Sequence, residues 1–210
     1  MYRYVRANRR AGGELYRNLC RRGKKPNWRR GRHAGRGHIP DRVNIAERPK
    51  VVVVEKSRIG DWELDTIIGA RQRGTVVSSV DRCSKYTLLE RIRTKTAAAV
   101  NEALSERMGP IRDQVHTCTL DNGKKFAGHR EVADELEADF YFATSCHSWE
   151  RGLNEHTNGL VREYFPKGTD FLEVTDAQVR EVEDRLNNRP RKVLGYRTPV
   201  EAFASAQAPP

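Results

Sequence analysis

Eight consecutive residues, Asp61–Ile68 (DWELDTII), limit the fold class more tightly than any other stretch of the chain. Trp62, Leu64, Thr66 and Ile68 fall on one side of an extended strand, and Asp61, Glu63, Asp65 and Ile67 on the other. Three carboxylates along one face are costly in a sheet covered on both sides, because each unpaired one must be desolvated. An edge strand with one wet face is the plain account. A strand that displays acids for chemistry is the other.

The segments that follow build a sheet around this strand. Thr75–Val80 and Tyr86–Ile92 read as two further strands joined by the polar turn DRCSK, completing an antiparallel meander. Thr96–Met108 reads as a helix with Ala97, Val100, Ala103, Leu104 and Met108 apolar, stopped by Gly109-Pro110. Val115–Leu120 is a strand that ends in Asp121-Asn122-Gly123. That tripeptide is a turn signal, and a strand's C-terminal end is also where mixed α/β sheets display catalytic groups. Gly128–Leu136 is predicted helical and Phe140–Ala143 a fifth strand. An irregular loop, Ser148–Gly152, then runs into a short amphipathic helix. Leu153, Leu160, Val161 and Tyr164 face inward, and Glu155, Asn158 and Arg162 form the polar side. Arg162 lies two turns below Glu155, about 10 Å along the axis. Thr175–Asn188 is the last predicted helix and opens with a Thr175/Gln178 capping box.

This order predicts an α/β fold with a mixed five-stranded sheet flanked by helices. The first and fourth strands can lie side by side, which brings Asp65 to Asp121, with Glu155 swinging in from its helix. Carboxylates so gathered repel, and one takes up a proton unless a cation neutralises them. Oxygen-only ligands suit Mg²⁺ or Mn²⁺. Two such ions about 4 Å apart can activate an attacking oxygen and stabilise the leaving oxygen of a phosphodiester.

Charge divides the chain. Residues 1–50 hold 16 Lys/Arg and 3 Asp/Glu, a net +13, whereas residues 51–210 hold 23 and 25, a net −2. The basicity belongs to an N-terminal arm, rich in Arg, with a short helix expected within Tyr2–Arg22 around Leu15, Tyr16 and Leu19, interrupted by Gly12-Gly13. Gly23–Arg48 is expected to be extended or disordered when free, with Trp28 available to stack on a base or dock on the body. Such an arm binds polyphosphate by releasing counterions. The expected division is residues 1–50 as arm, 51–205 as core and 206–210 as tail. The longest aliphatic run is Val51–Val54, and mean hydropathy is −0.78, so no membrane span or signal peptide is expected. Cys20, Cys83, Cys118 and Cys146 are scattered without a C-x-x-C, which suits a reducing cytoplasm and no zinc site. Cys146-His147 reads as structural rather than as a metal pair or a nucleophile with its base.

Three blocks, IGDWELDTIIG, TLDNGKKFAGH and SWERGLNEHTNGLVREYFPKGTDF, resemble in order the signature segments of bacterial insertion-sequence-30 family transposases. The 33 residues between Asp121 and Glu155 are similar to that family's spacing of the DDE motif. HIPDRVNIAERP and LNNRPRKVLGYRTPVEAF extend the resemblance from about Tyr2 to Phe203. It implies a ribonuclease-H-like integrase core, a divalent-metal site (Mg²⁺ or Mn²⁺, two ions) and DNA cleavage with strand transfer. Asp65, Asp121 and Glu155 match the catalytic, metal-binding acids. Arg162 matches a basic position that holds DNA phosphate, and Asn122 and Gly123 match the turn after the second aspartate. Lys124, Lys125, Arg151, Asn158 and Lys167 are expected DNA contacts, together with Arg29, Arg30, Arg32 and Arg36 of the arm. The implied partners are double-stranded DNA, as element ends and target, and further copies of the chain. The implied location is the bacterial cytoplasm, at the nucleoid.

The departures from the family pattern are Leu64 for a common Gly, Lys125 for a common Glu, and Leu153 and His156 for the commoner Thr and Asn. Leu64 is expected to point away from the acids, and His156 to lie at the surface. Lys125 adds a positive charge near the site, which can grip DNA or weaken metal affinity. Family members usually begin with a helix-turn-helix region, and this chain starts just after where that region would end. A silent DNA-binding protein or inhibitor of the full-length transposase is therefore an alternative, and a nuclease on RNA–DNA hybrids is a third reading.

Overall fold

The computed structural model describes residues 2–18, 39–49, 58–144 and 151–205. It divides into two units, Met1–Arg36 and Gly37–Pro210. In the first, the predicted helical stretch is α-helical only before the glycine pair, as α1 (Tyr2–Arg10). Gly12 takes φ +82°, which ends the helix, and Leu15–Asn18 forms only a 3₁₀ turn. The Arg9 guanidinium stacks on the Tyr16 ring at 4.3 Å.

The second unit is built on a six-stranded sheet, one strand more than the sequence predicts. Its strands are β1 (Val43–Asn44), β2 (Asp61–Ile68), β3 (Thr75–Asp81), β4 (Thr87–Ile92), β5 (Thr117–Leu120) and β6 (Asp139–Phe142). They run in the order β1-β6-β5-β2-β3-β4. β2, β3 and β4 are the antiparallel meander, while β1/β6, β6/β5 and β5/β2 pair in parallel. The added strand comes from the stretch expected to be extended or disordered. Val43 pairs with Tyr141, and an Asn44/Glu47 capping box closes the turn behind it. Ile39 and Ile45 are buried, so this short apolar run packs with the core in spite of its basic surroundings.

Helices cover both faces. On one, Trp62, Leu64 and Val77 pack against Val100, Leu104 and Met108 of α2 (Ala97–Met108) and against Val132 and Leu136 of α3 (His129–Leu136). On the other, Ile67, Val76 and Leu89 meet Val161 of α4 (Gly152–Tyr164) and Val179, Val182 and Leu186 of α5 (Asp176–Asn187). The alternation in DWELDTII therefore sorts β2 between two cores. A last helix, α6 (Pro199–Ala204), is too short to show a periodicity. Its signal is the capping box Thr198/Glu201 with proline in the first turn. α6 seats Phe203 edge-on to Trp62 at 5.8 Å and stacked on Tyr86 at 4.5 Å.

The edge-strand account of β2 fails. β2 lies between β3 and β5, with Asp61 and Glu63 buried. Each carboxylate has partners that offset its desolvation. Asp61 accepts from Arg58 at 2.7 Å and from the Thr117 hydroxyl at 2.8 Å. Glu63 pairs with the buried Arg82 at 3.2 Å and accepts from the Asn154 backbone N–H at 3.2 Å.

Candidate active site

Parallel pairing of β2 with β5 puts Asp61 opposite Thr117 and Glu63 opposite Thr119. Continuing that register by two residues sets Asp65 level with Asp121, at the end of β5 where the chain turns away. Three side chains from two other segments converge on the two acids. Lys125, from the 3₁₀ turn Lys124–Phe126, places Nζ 3.1 Å from Asp65 Oδ1 and 2.9 Å from Asp121 Oδ2. Arg151, at the start of α4, lies 2.8 Å from Asp65 Oδ2 and 3.5 Å from Asp121 Oδ2. Asn158, on α4, donates to Asp65 Oδ2 at 2.9 Å and accepts from Ser78 at 3.2 Å.

The second acid is also held by its own turn. The Gly123 amide donates to Asp121 Oδ1 at 2.7 Å, and a Cβ on Gly123 would stand 2.7 Å from that oxygen. Asn122 donates to the Ala143 carbonyl and accepts from Arg42 at 2.6 Å, which ties the turn to β6 and to the segment before β1. Burial pushes the Asp121 carboxyl up. Lys125, the Gly123 amide and Arg151 outweigh it and hold the group below the usual carboxylate range. One layer deeper, burial pushes Glu63 above that range in spite of Arg82, the Asn154 amide, Arg151 and Arg48.

The structure brings Asp65 and Asp121 together but does not bring Glu155 to them. Glu155 is exposed in the first turn of α4 and makes no ion pair among the described residues. Its position follows from the helix: it precedes Asn158 by one turn, on the side of α4 that meets Asp65. Among the described residues no group of three or more His, Cys, Asp or Glu is placed to hold a metal. The donor chemistry fits a hard cation, since Asp65, Asp121 and Glu155 offer only carboxylate oxygens. The oxygens of Asp65 and Asp121 are taken by Lys125, Arg151, Asn158 and the Gly123 amide.

The remaining expected DNA contacts separate into groups. Arg162 donates to the carbonyls of Ile68 at 2.7 Å, Phe165 at 3.3 Å and Pro166 at 3.4 Å. It thus fastens the end of α4 to the end of β2, and burial lowers its guanidinium's pKa. Lys124, Lys167 and His156 are exposed. Arg29, Arg30, Arg32 and Arg36 lie outside the described residues, as do Trp28, Val51–Val54, Cys20 and Cys146-His147. Three further basic residues stand near the acids, and the sequence pattern does not mark them. Arg42 reaches Asn122, Arg48 donates to Thr119 on β5 at 2.8 Å, and Lys95 feels Lys125, Asp121 and Asp65. Their contacts bridge segments tens of residues apart, and no local spacing announces them.

The sheet order, with three antiparallel strands continued by parallel ones and helices on both faces, defines a ribonuclease-H-like fold. Solved structures share it. The catalytic core domain of bovine immunodeficiency virus (BIV) integrase superposes with a TM-score of 0.55 at 18% identity, covering 70% of this chain and 95% of that one. A chain of the simian T-cell lymphotropic virus intasome in complex with the PP2A regulatory subunit B56 gamma gives 0.60 at 17%, covering 73% and 58%. In sequence, the chain is a homologue of the insertion-sequence-30 family transposases. It is 46% identical over 203 residues to the transposase for insertion sequence element IS4351 of Bacteroides fragilis, covering 97% of this chain and 62% of that one. It is 35% identical over 176 residues to transposase InsI for element IS30A of Escherichia coli K12, covering 81% and 45%. The chain thus spans between 45% and 62% of the length of these curated relatives. No family model matches it. Among the described residues no helix is long and apolar enough to cross a membrane.

Proposed function

We propose that this chain carries the catalytic core of a DDE transposase, which cuts DNA at the ends of an insertion sequence and joins those ends to a target. The observation that carries the reading is the juxtaposition of Asp65 and Asp121 on parallel neighbouring strands, with Asn158 of the Glu155 helix bonded to Asp65. Asp65, Asp121 and Glu155 are the residues that would hold Mg²⁺ or Mn²⁺, two ions in the working complex. Bound there, the ions supply charge that activates an attacking oxygen and stabilises a leaving oxygen.

The protein's own groups set the stage for that chemistry. Asn158 and the Gly123 amide hold the two aspartates in a fixed orientation. Arg151 and Lys125, beside the acids, and the exposed Lys124 and Lys167 provide positive charge for a phosphate backbone. Arg162 aligns α4 against β2 and so governs where Glu155 stands. The Arg-rich stretch before residue 50 grips duplex DNA without reading its sequence. Double-stranded DNA and a second copy of the chain are the partners, because two element ends must be joined. Action at the nucleoid follows from that substrate.

The direct test is metal-dependent joining of a precut, labelled DNA end into plasmid, comparing the chain with Glu155→Gln. Joined product from the unaltered chain and none from the variant is the expected result. DNA binding without product from either overturns it. That outcome favours a second reading, a silent DNA-binding protein or inhibitor, for which the neutralisation of both aspartates by Lys125 and Arg151 is the supporting observation. Cleavage confined to RNA–DNA hybrids would point to a hybrid nuclease instead.

A further inference from the structure

The Lys125 ammonium sits among three oxygens. It lies 3.1 Å from Asp65 Oδ1 and 2.9 Å from Asp121 Oδ2, and it donates to Thr66 Oγ1 at 2.7 Å. Its side chain is 6% exposed, less than either carboxylate it bridges, and Nζ lies 4.8 Å from the centre of the Phe126 ring. With Arg151 against Asp65, two carboxylates face two fixed cations and the cluster is neutral.

We propose that Lys125 is a resident counter-cation that competes with divalent metal for Asp65 and Asp121, so that an ion binds here only as the ammonium leaves. The proposal rests on the metal-site reading given above. Mg²⁺ binds oxygen at about 2.0–2.1 Å, and Asp65 Oδ1 and Asp121 Oδ2 are already engaged by Nζ. Adding two charges beside Lys125 and Arg151 would set four positive charges against two negative ones in a largely desolvated cluster, where repulsion is poorly screened. Lysine suits such a role. Its compact charge rides on a four-carbon stem that can swing to a new partner, whereas a planar guanidinium in the same seat would be harder to withdraw. Metal affinity in the absence of DNA is therefore held down by a side chain of the chain itself.

The test is titration of the whole purified chain with Mn²⁺ alone, read by calorimetry or by loss of the free-ion electron-spin signal. Lys125→Met keeps the length of the stem and removes the charge. It should bind Mn²⁺ at least about tenfold more tightly than the unaltered chain, in line with ordinary coupling strengths. It should also melt at lower temperature in EDTA and gain more from saturating Mn²⁺. Lys125→Arg should bind no more tightly than the unaltered chain. Lys125→Gln gives the same comparison should the Met variant fold poorly. Asp65→Asn, added to each form, identifies the binding that belongs to this site. Equal, Asp65-dependent affinities with and without the lysine charge would overturn the competition and leave the metal site standing. Absence of Asp65-dependent binding in every form would overturn both.

Discussion

Asn158 Nδ2 donates to Asp65 Oδ2 at 2.9 Å and thereby ties the helix that carries Glu155 to the strand that carries the first acid. Ser78 of β3 orients the amide by donating to Asn158 Oδ1 at 3.2 Å. A hydrogen bond to a charged group contributes about 1.5–3 kcal/mol. If that energy is spent on aligning the acids, Asn158→Leu should slow strand transfer by roughly ten- to a hundredfold, at about 1.4 kcal/mol per factor of ten. Ser78→Ala should show a smaller loss in the same direction, because it removes only the orienting contact. Single-turnover joining rates, measured beside melting curves, check this. An unchanged rate for Asn158→Leu would break the link between the helix and the acid.

Arg162 behaves as a clamp more than as a hand held out to DNA. Its guanidinium caps three carbonyls, those of Ile68, Phe165 and Pro166, and lies over the Phe171 ring at 5.7 Å. Arg162→Ala should therefore destabilise the fold by about 2 kcal/mol, since it leaves several acceptors without a donor. Lysine cannot span three carbonyls with a planar fork, so Arg162→Lys should recover little of it. Denaturant melts decide the matter. A variant with unaltered stability and weakened DNA binding would restore the phosphate role that the sequence suggests.

The sheet was legible because its signals are local. DWELDTII alternates, DRCSK turns, and Thr175/Gln178 caps a helix, each within a few residues. Strand order allows the first and fourth strands to be neighbours, and β2 and β5 do pair in parallel. What stayed hidden was non-local. Glu63 reads as exposed until Arg82 and the Asn154 amide arrive to offset its burial. Val43–Asn44 is too short to announce itself and becomes a strand only because β6 offers an open edge. Lys125 was visible as an added charge, but its seat on both aspartates depends on the β2/β5 register and the 3₁₀ turn together.

Acid should act on Asp121 and Glu63 in opposite directions. The Asp121 carboxyl is held low in the folded chain, so the stability it contributes is present above the ordinary carboxylate value. That contribution is lost as pH falls through the folded value. The stability advantage of the unaltered chain over Asp121→Asn in EDTA should thus shrink on acidification. Glu63 is raised from its ordinary 4.5 by burial, so the folded form takes up its proton more readily than the unfolded one. Stability should therefore fall relative to Glu63→Gln as pH rises from 4.5 through the raised value. Denaturant midpoints of the three proteins across this window give both slopes. Parallel slopes for all three would remove the assigned shifts.

The basic arm makes a separate claim, about salt. Residues 1–50 carry net +13 and the remainder net −2, so non-specific duplex affinity should depend on the first fifty residues. Each phosphate contact adds about 0.9 to the slope of log affinity against log salt, through counterion release. Replacing Arg29, Arg30, Arg32 and Arg36 together with alanine should lower the magnitude of that slope by about 3–4 if each meets a phosphate. Affinity at low salt should fall steeply while the melting temperature stays nearly constant, because none of the four belongs to the predicted core. Anisotropy titrations on an unrelated duplex at several salt concentrations measure this. A slope that does not move would transfer the DNA grip to the cations around Asp65 and Asp121. In that case Lys124→Ala and Lys167→Ala, both at exposed positions, should carry the salt dependence instead.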